Sequence, residues 1–245
     1  MFGITAVGTA TAGYFLSVGS VGLFVLSAIM LRAAITDYKL PVLIILIASL
    51  LALVALLLSL GALLFGQISQ LNVPRTLIAV VLSAAIFVPV FLAGRALDGI
   101  PMINDIMTDI NNPPQFEVVP TQRKAFDNSL ELSENRLAFH EKHYGDLAPL
   151  IVEGAPDRHF DKVVALVDAR GWKIVAKNRS KGVIEATDTT VLFGFKDDVV
   201  IRLMAENGAT RIDMRSASRQ GRSDFRVNAN RIEAFLADLR TALNG

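Results

Sequence analysis

The chain has 245 residues, of which 52% are hydrophobic and 19% are charged. Average soluble domains carry about 25% charged residues, so this chain is too apolar for that class. Its 24 basic and 23 acidic side chains nearly cancel, which argues against nucleic acid as a partner, since a polyanion is held by excess positive charge. The absence of cysteine excludes disulfides, thiolate metal sites and a cysteine nucleophile.

The apolar residues are concentrated in residues 1–100, which contain only six charged side chains. Three charge-free runs, 1–31, 40–73 and 76–94, fit the length of about 20 residues that crosses a hydrocarbon core of about 30 Å. We therefore predict a transmembrane region of three helices in residues 1–100, with membrane lipid as its partner. No ionisable residue lies in mid-span, which argues against an ion or proton pathway.

The first span contains one pair of small residues at helical spacing, Gly13 and Ser17. Such a step lets another helix approach closely. Glycine is common in membrane helices, so ordinary packing is favoured over a specific dimer seam. Contacts of the helices with other membrane proteins stay open.

Three spans place the amino terminus and the carboxy-terminal part on opposite sides of the membrane. The flanking basic residues are Arg32 and Lys39 in the first loop, Arg75 in the second, and Arg95 after the third span. Taken alone, the positive-inside rule puts the carboxy-terminal part in the cytoplasm, by a margin of about two charges.

Residues 101–147 are predicted to be a tether followed by a surface helix. Residues 102–120 are rich in Asp, Asn and Pro, which favours extended backbone. Residues 126–144 alternate charged and apolar side chains, as in an exposed or loosely docked helix. His140 and His143 on this helix could share a metal ion, but zinc needs at least a third protein ligand. A solvated helix surface is favoured, and no metal or cofactor is predicted.

Residues 148–245 have the pattern of an α+β domain. Alternating apolar residues, Pro at a helix start and Gly at a helix end mark its first elements. The pattern predicts a strand, a helix, two strands and a possible short third strand, at 150–153, 156–170, 173–177, 183–187 and 191–195.

Asn207 and Gly208 give the strongest local signal, a two-residue hairpin turn between two alternating runs. The turn fixes the register, so that the numbers of paired residues sum to 415 and Arg202 faces Asp213. One face of the hairpin is apolar and predicts the core. The opposite face carries Arg202, Arg211, Asp213 and Arg215. We interpret it as a solvated, salt-bridged surface in preference to an anion site.

The segment 215–232 joins the hairpin to a last helix with an apolar stripe, which Ser223 or Asp224 is placed to cap. Its arginines, serines and backbone N–H groups suit a phosphate, a carboxylate or a lipid headgroup. The same groups could instead fasten the helix to the sheet, and both interpretations stay open. The candidate ligand-binding residues are Arg202, Asp213, Arg215, Ser216, Ser218, Arg219, Ser223, Asp224, Asn228 and Arg231. No histidine base accompanies the serines in sequence, so no catalytic residue is predicted.

Three stretches form recognisable motifs: Asn104-Asp105-Ile106 with Thr108-Asp109 and Pro113-Pro114-x-Phe116; Phe195-x-Asp197-Asp198-Val199-Val200-Ile201-Arg202; and Arg215-Ser216-x-Ser218-Arg219-x-Gly221-x-Ser223-Asp224 with Asn228 and Arg231-Ile232. Together they resemble an uncharacterised bacterial family, the domain of unknown function fourteen ninety-nine. The resemblance covers essentially the whole chain and implies a multi-pass inner-membrane protein with its soluble domain in the periplasm. One departure is Arg226, where the family pattern has glycine.

The predicted fold is an α-helical membrane anchor of three transmembrane helices plus an α+β domain, in which a mainly antiparallel sheet of about five strands packs on two helices. The leading functional hypothesis is a non-enzymatic binding or scaffold module at the membrane surface, with a lipid headgroup or small anion as ligand. One alternative is an accessory subunit of a membrane protein complex. Another is a hydrolase using Asp198, Asp213 or Asp224, although carboxylates paired with arginine make poor general acids.

Overall fold

The computed structural model of the chain describes residues 2–223 and 225–244. It divides into two compact units, which we call the helical unit (Met1–Asp98) and the α+β unit (Gly99–Gly245). The division follows the charge distribution of the sequence, because nearly all charged side chains lie in the second unit.

The helical unit contains three long apolar helices within its described residues: α1 (Phe2–Ala33), α2 (Lys39–Phe65) and α3 (Val73–Ala96). Each has the length and composition of a membrane span. The predicted three-helix region is therefore present. The start of α3 is fixed locally, since the side chain of Asn72 accepts a hydrogen bond from Arg75 N at 3.2 Å.

Small side chains line the seam where α1 meets α2. Gly13 lies on this seam, and a Cβ atom added to it would overlap Ser59 Oγ and lie 3.2 Å from Ala55 O. Ala48, Ala52 and Ala55 of α2 are fully buried. Gly13 thus permits close packing of the chain's own second helix, the interpretation that the sequence favoured over a dimer seam.

The described part of the α+β unit forms a six-stranded antiparallel sheet in the order β1-β6-β5-β4-β3, with β2 also paired to β6. The strands are β1 (Asp105–Met107), β2 (Leu150–Glu153), β3 (Lys173–Asn178), β4 (Val183–Thr189), β5 (Lys196–Glu206) and β6 (Ala209–Ser218). The helices are α4 (Glu134–Tyr144), α5 (Pro156–Ala169) and α6 (Val227–Asn244). The predicted α+β class with a helical anchor is confirmed.

The hairpin of β5 and β6 has the predicted register, with Arg202 opposite Asp213 and Leu203 opposite Ile212. Its turn residues Asn207 and Gly208 have φ of 51° and 82°. These left-handed values are those of a two-residue turn whose twist matches the strands. The local sequence signal was therefore sufficient to place ten residue pairs.

The core lies between one face of the sheet, here called the core face, and helices α5 and α6. Val163 and Val167 of α5 and Phe235 of α6 are fully buried against it. The single tryptophan, Trp172, stacks on Phe235 with ring centroids 5.3 Å apart. The apolar stripes of the two helices were readable because their spacing is helical.

The segment expected to be a tether is instead part of the domain. Asp105–Met107 forms strand β1 and pairs with residues 215–217 of β6. Residues 108–130, here called the cover segment, then cross the second face of the sheet, the polar face. The expectation of a solvated polar face is therefore wrong, since Asp213 and Arg215 are 0% and 1% exposed.

Two smaller expectations also change. Residues 191–193 form a turn between β4 and β5 instead of a short strand, because Gly194 adopts φ 69° and its N–H bonds to Thr190 O at 3.0 Å. The helix expected within 126–144 begins at Glu134, after Ser133 accepts a hydrogen bond from Arg136 N at 3.4 Å.

Candidate functional site

The charged residues of β5 and β6 share the polar face because alternate residues of a strand point to the same side. The cover segment lies over them and brings carbonyl groups and further charges. Three clusters result, centred on the carboxylates of Asp105, Asp198 and Asp213, which are at most 2% exposed. Each carboxylate accepts hydrogen bonds from at least one arginine.

The first cluster joins Arg215 to Asp105. Two parallel hydrogen bonds connect them, Nε to Oδ1 at 2.9 Å and Nη2 to Oδ2 at 2.8 Å. The guanidinium also donates to Pro114 O at 3.2 Å and Leu130 O at 2.8 Å, and lies 5.2 Å from the ring centroid of Phe116. All three of its nitrogen atoms are therefore used inside the domain.

The second cluster places two guanidinium groups on Asp198. Arg219 binds it through two hydrogen bonds of 2.9 and 2.8 Å, and Arg123 Nε donates to it at 2.9 Å. Thr187 Oγ1 donates a further bond at 2.7 Å. Burial lowers the pKa of Arg123, and the attraction of Asp198 offsets part of that effect.

The third cluster contains the predicted cross-strand pair of Arg202 and Asp213, which lie 3.1 Å apart. Arg211 also donates to Asp213, at 3.0 Å from Nε, and this hydrogen bond raises the pKa of Arg211. Asp109 of the cover segment contacts both arginines, at 3.4 Å from Arg202 and 3.2 Å from Arg211. The cluster thus balances two cations against two anions.

A fourth polar group lies on the core face, under the start of α6. Ser216 Oγ donates to Asn228 Oδ1 at 2.6 Å, and Asn228 Nδ2 donates to Ser218 Oγ at 2.9 Å. Arg231 donates to Ser216 Oγ at 3.0 Å and to Asp197 at 2.6 Å. These bonds connect α6 to β5 and β6.

The candidate ligand-binding residues therefore do not form one surface. Arg202, Asp213, Arg215 and Arg219 lie under the cover segment, whereas Ser216, Ser218, Asn228 and Arg231 lie under α6, on the other side of the sheet. Arg215, Arg219 and Arg231 are 1%, 6% and 7% exposed and donate to protein acceptors. This geometry favours the fastening interpretation of the junction.

Ser223 does not cap the last helix. Its hydroxyl donates to Pro101 O at 3.3 Å, and α6 begins only at Val227. Phe225 and Arg226 intervene with φ of 55° and 63°, a left-handed pair that delays the helix. Asp224 lies outside the described residues.

Sequence reasoning did not predict the structural roles of two further buried polar side chains, Glu185 and His140. Glu185 of β4 accepts hydrogen bonds from three consecutive backbone N–H groups of the cover segment, those of Glu117, Val118 and Val119, at 2.8, 3.0 and 2.7 Å. His140 of α4 accepts one from Met107 N at 3.0 Å. Both bonds join segments far apart in sequence, so no local pattern marks them.

The histidine pair does not form a metal centre. His140 is 1% exposed and uses Nε2 on the backbone of β1, whereas His143 is exposed. Burial lowers the pKa of His140, against a smaller opposite effect of Asp105. The described residues contain no group of three or more metal-ligating side chains.

An open cleft of about 400 Å³ lies between the end of α4 and one side of α6. We call it the α4–α6 cleft. It is lined by His143, Tyr144, Asp146, Leu147, Ala148, Arg226, Glu233, Leu236, Ala237 and Arg240. Arg226 lies over the Tyr144 ring, 5.4 Å from its centroid, and 3.6 Å from Glu233. Apolar side chains thus form the floor, and charged side chains the rim.

Comparison with known families identifies a family model that matches this chain. The model of the family described as protein of unknown function (DUF1499) matches residues 105–239. The match begins at β1 and ends in α6, so it spans the sheet, the cover segment and all four polar clusters. No curated protein matches the chain.

Proposed function

The chain belongs to the family of proteins of unknown function DUF1499, and from that premise we propose that it is a membrane-anchored binding module without catalytic activity. The three apolar helices hold it in the bacterial inner membrane. The α+β unit faces the periplasm and binds an anionic amphiphile, such as a lipid with a phosphate or carboxylate headgroup.

The polar clusters support a binding role over a hydrolytic one. Asp198 is shared between Arg123 and Arg219, and Asp213 between Arg202 and Arg211. A carboxylate held by two guanidinium groups is not free to take a proton from a substrate or a water molecule. The charged groups instead stabilise the cover segment on the sheet.

The observation that carries the proposal is the α4–α6 cleft. Tyr144, Leu147 and Leu236 offer an apolar floor, while Arg226 and Arg240 lie at the rim together with Asp146 and Glu233. Ligand sites of soluble domains typically combine such apolar walls with a few charged groups, in volumes of about 300–1,000 Å³. An acyl chain on the floor and an anionic head at the arginines would satisfy both parts.

The exposed arginines, and not those of the buried junction, are the anion ligands in this proposal. A guanidinium group binds phosphate or carboxylate through two parallel N–H donors. Arg240 is exposed on the side of α6 that lines the cleft. Substitution of Arg215 would destabilise the domain and would therefore not test the site by itself.

Binding can be measured with the full chain in nanodiscs of zwitterionic lipid, titrated with octyl phosphate in a calorimeter. Arg240→Ala should raise the Kd about tenfold, the value of one charge-assisted hydrogen bond. Arg226→Gly should act in the same direction and keeps the left-handed backbone. Lys177→Ala on β3, outside the cleft, is the matched control. An unchanged Kd in both arginine variants would refute the site.

The proposed orientation has an independent test, because the chain contains no cysteine. Lys142→Cys lies on the exposed side of α4, and Gln70→Cys lies between the second and third helices. In intact bacterial cells whose outer membrane has been permeabilised, an impermeant maleimide should label the first variant and spare the second. The reverse pattern would place the α+β unit in the cytoplasm.

A further inference from the structure

The turn between β4 and β5 exposes apolar side chains. Residues 190–195, here called the apolar turn, read Thr-Val-Leu-Phe-Gly-Phe, and Val191 and Leu192 are 89% and 59% exposed. Turns of soluble domains are normally polar or glycine-rich and lie in water. A contiguous apolar protrusion instead marks a surface that contacts a partner.

Hydrogen bonds hold the apolar turn in a defined conformation. Thr190 N donates to Phe195 O at 2.9 Å, and Phe195 N donates to the hydroxyl of Thr190 at 2.9 Å. A third bond joins Gly194 N to Thr190 O at 3.0 Å. These bonds close the base of the loop, while Val191 and Leu192 project from it.

The turn lies at the end of the sheet where the chain enters the α+β unit. Ser218 N donates to Asn104 O at 2.8 Å, and Arg219 N donates to Lys196 O at 2.8 Å. Asn104, which precedes β1, and Lys196, which follows the turn, therefore both flank the last residues of β6. The hydroxyl of Ser223 ties the next loop to Pro101 at the same end.

Exposed apolar side chains are concentrated at this end. Among the described residues of the α+β unit, eight large hydrophobic side chains are exposed, and five of them lie here. The five are Met102, Val191, Leu192, Phe225 and Val227, which occupy the entering chain, the apolar turn and the start of α6. The basic residues Lys196 and Arg222 are exposed beside them.

The short linker between α3 and β1 indicates that the membrane is the partner of this surface. Eight residues separate Ala96, the last residue of α3, from Asp105, the first of β1. A fully extended chain of that length spans at most about 28 Å, which puts the bilayer that α3 crosses within reach of this end of the sheet. Apolar side chains flanked by Lys and Arg are the composition that binds an anionic membrane interface.

We propose that the apolar turn inserts Val191 and Leu192 into the interface of the chain's own membrane, with Lys196 and Arg222 at the level of anionic headgroups. The insertion would fix the orientation of the α+β unit against the bilayer. It concerns a different surface from the α4–α6 cleft and does not depend on a ligand there.

Tryptophan fluorescence of the full chain in proteoliposomes tests the insertion. In a Trp172→Phe background, Leu192→Trp puts the one reporter in the turn, and Ile151→Trp puts it at an apolar position of β2 that is also at least half exposed. β2 pairs with the opposite end of β6, which makes it the matched control. With lipids brominated on the acyl chain, we expect quenching of the turn reporter to be about threefold stronger than that of the control. Equal quenching, with both emission spectra those of water-exposed tryptophan, would overturn the proposal.

The basic residues give a second measurement. Lys196→Glu with Arg222→Glu should reduce quenching of the Leu192→Trp reporter in vesicles containing phosphatidylglycerol, and less so in purely zwitterionic vesicles. Because the vesicles contain no other protein, quenching reports lipid contact alone. Trypsin resistance of the cover segment confirms that each variant is folded. A turn reporter that stays unquenched in both lipids, in a folded variant, would assign this surface to a protein partner instead.

Discussion

Arg215 and Asp105, 110 residues apart in the chain, are joined by two parallel hydrogen bonds of 2.9 and 2.8 Å. The pair connects β6 to β1, and the same guanidinium holds the cover segment through Pro114 O and Leu130 O. Arg215 is 1% exposed. One side chain thus fastens the beginning of the α+β unit to the centre of its sheet.

Breaking this pair from either side should destabilise the domain by about 3–5 kcal/mol, because the remaining charge stays buried and unpaired. We expect this loss for Asp105→Asn and a smaller one for Arg215→Lys, which keeps the positive charge but cannot form the two parallel bonds. Unfolding can be followed through Trp172, the single tryptophan, which is buried in the core of this unit.

Arg158→Lys, on the exposed side of α5, is the control and should change stability by less than about 0.5 kcal/mol. The double variant Asp105→Leu with Arg215→Met should recover much of the loss, since a buried ion pair is often replaceable by apolar side chains. If Asp105→Asn unfolds at the wild-type denaturant concentration, the pair does not hold the domain together.

Glu185 fastens the middle of the cover segment. Its carboxylate accepts the N–H groups of residues 117–119 and is 1% exposed, so Glu185→Gln removes a buried charge that those donors face. A charge-assisted bond of this kind contributes about 1.5–3 kcal/mol. Trypsin should therefore cut after Arg123 or Lys124 at least about tenfold faster, because local opening exposes the segment.

Glu117→Gln is the matched control, since Glu117 pairs with Lys181 at the surface, where both side chains are about half exposed. Its cleavage rate should stay within about twofold of the wild type, because exposed ion pairs contribute little. Equal rates for the two variants would show that the Glu185 carboxylate does not secure the segment.

Local patterns explain which parts of the fold were predictable. The hairpin register followed from Asn207-Gly208, and the spans followed from length and apolar composition. The stripes of α5 and α6 followed from helical spacing. In each case, the residues that determine the structure are neighbours in sequence or recur at a fixed period.

The burial of the polar face was not predictable, because the contacts that produce it join residues far apart in sequence. Alternation of charged residues on β6 is typical of a solvated strand, and only the cover segment converts it into a buried face. That segment is joined to the sheet by bonds between residues 66 to 106 positions apart, such as Val119 to Glu185 and Thr108 to Met214. β1 has three residues, too few for a period to show. The candidate site residues were found as a set, but their division between two faces depends on these contacts.

Arg226 occupies a backbone conformation that suits glycine, with φ of 63°. Arg226→Gly and Arg226→Ala both remove the contacts with Tyr144 and Glu233, but only glycine relieves the left-handed strain. The glycine variant should therefore be more stable than the alanine variant by about 1 kcal/mol. Chemical denaturation followed through Trp172 measures the difference.

At Lys177, an exposed residue of β3, the order should reverse, because glycine weakens a strand. This pair of substitutions controls for the general cost of glycine. If alanine is the more stable residue at position 226 as well, the left-handed conformation is not maintained in solution.

His140 should make the domain sensitive to mild acid. Burial lowers its pKa below the usual 6.5, so the folded state keeps it neutral while the unfolded state takes up a proton as the pH falls. The free energy of unfolding therefore has its full value above about pH 6.5. Below that pH it decreases, by at most about 1.4 kcal/mol per pH unit. The decrease stops where the folded imidazole itself becomes protonated, and that event also removes the acceptor for Met107 N.

His140→Gln isolates this effect, because the glutamine side chain can accept the same N–H and does not titrate. Between pH 7 and 5, the variant should lose less stability than the wild type, whereas at pH 8 the two should differ little. His143→Gln, one helical turn further and exposed, should keep the wild-type pH dependence. Denaturant titrations at each pH, read through Trp172, give the comparison. Parallel curves for wild type and His140→Gln would mean that the buried imidazole does not set the acid response.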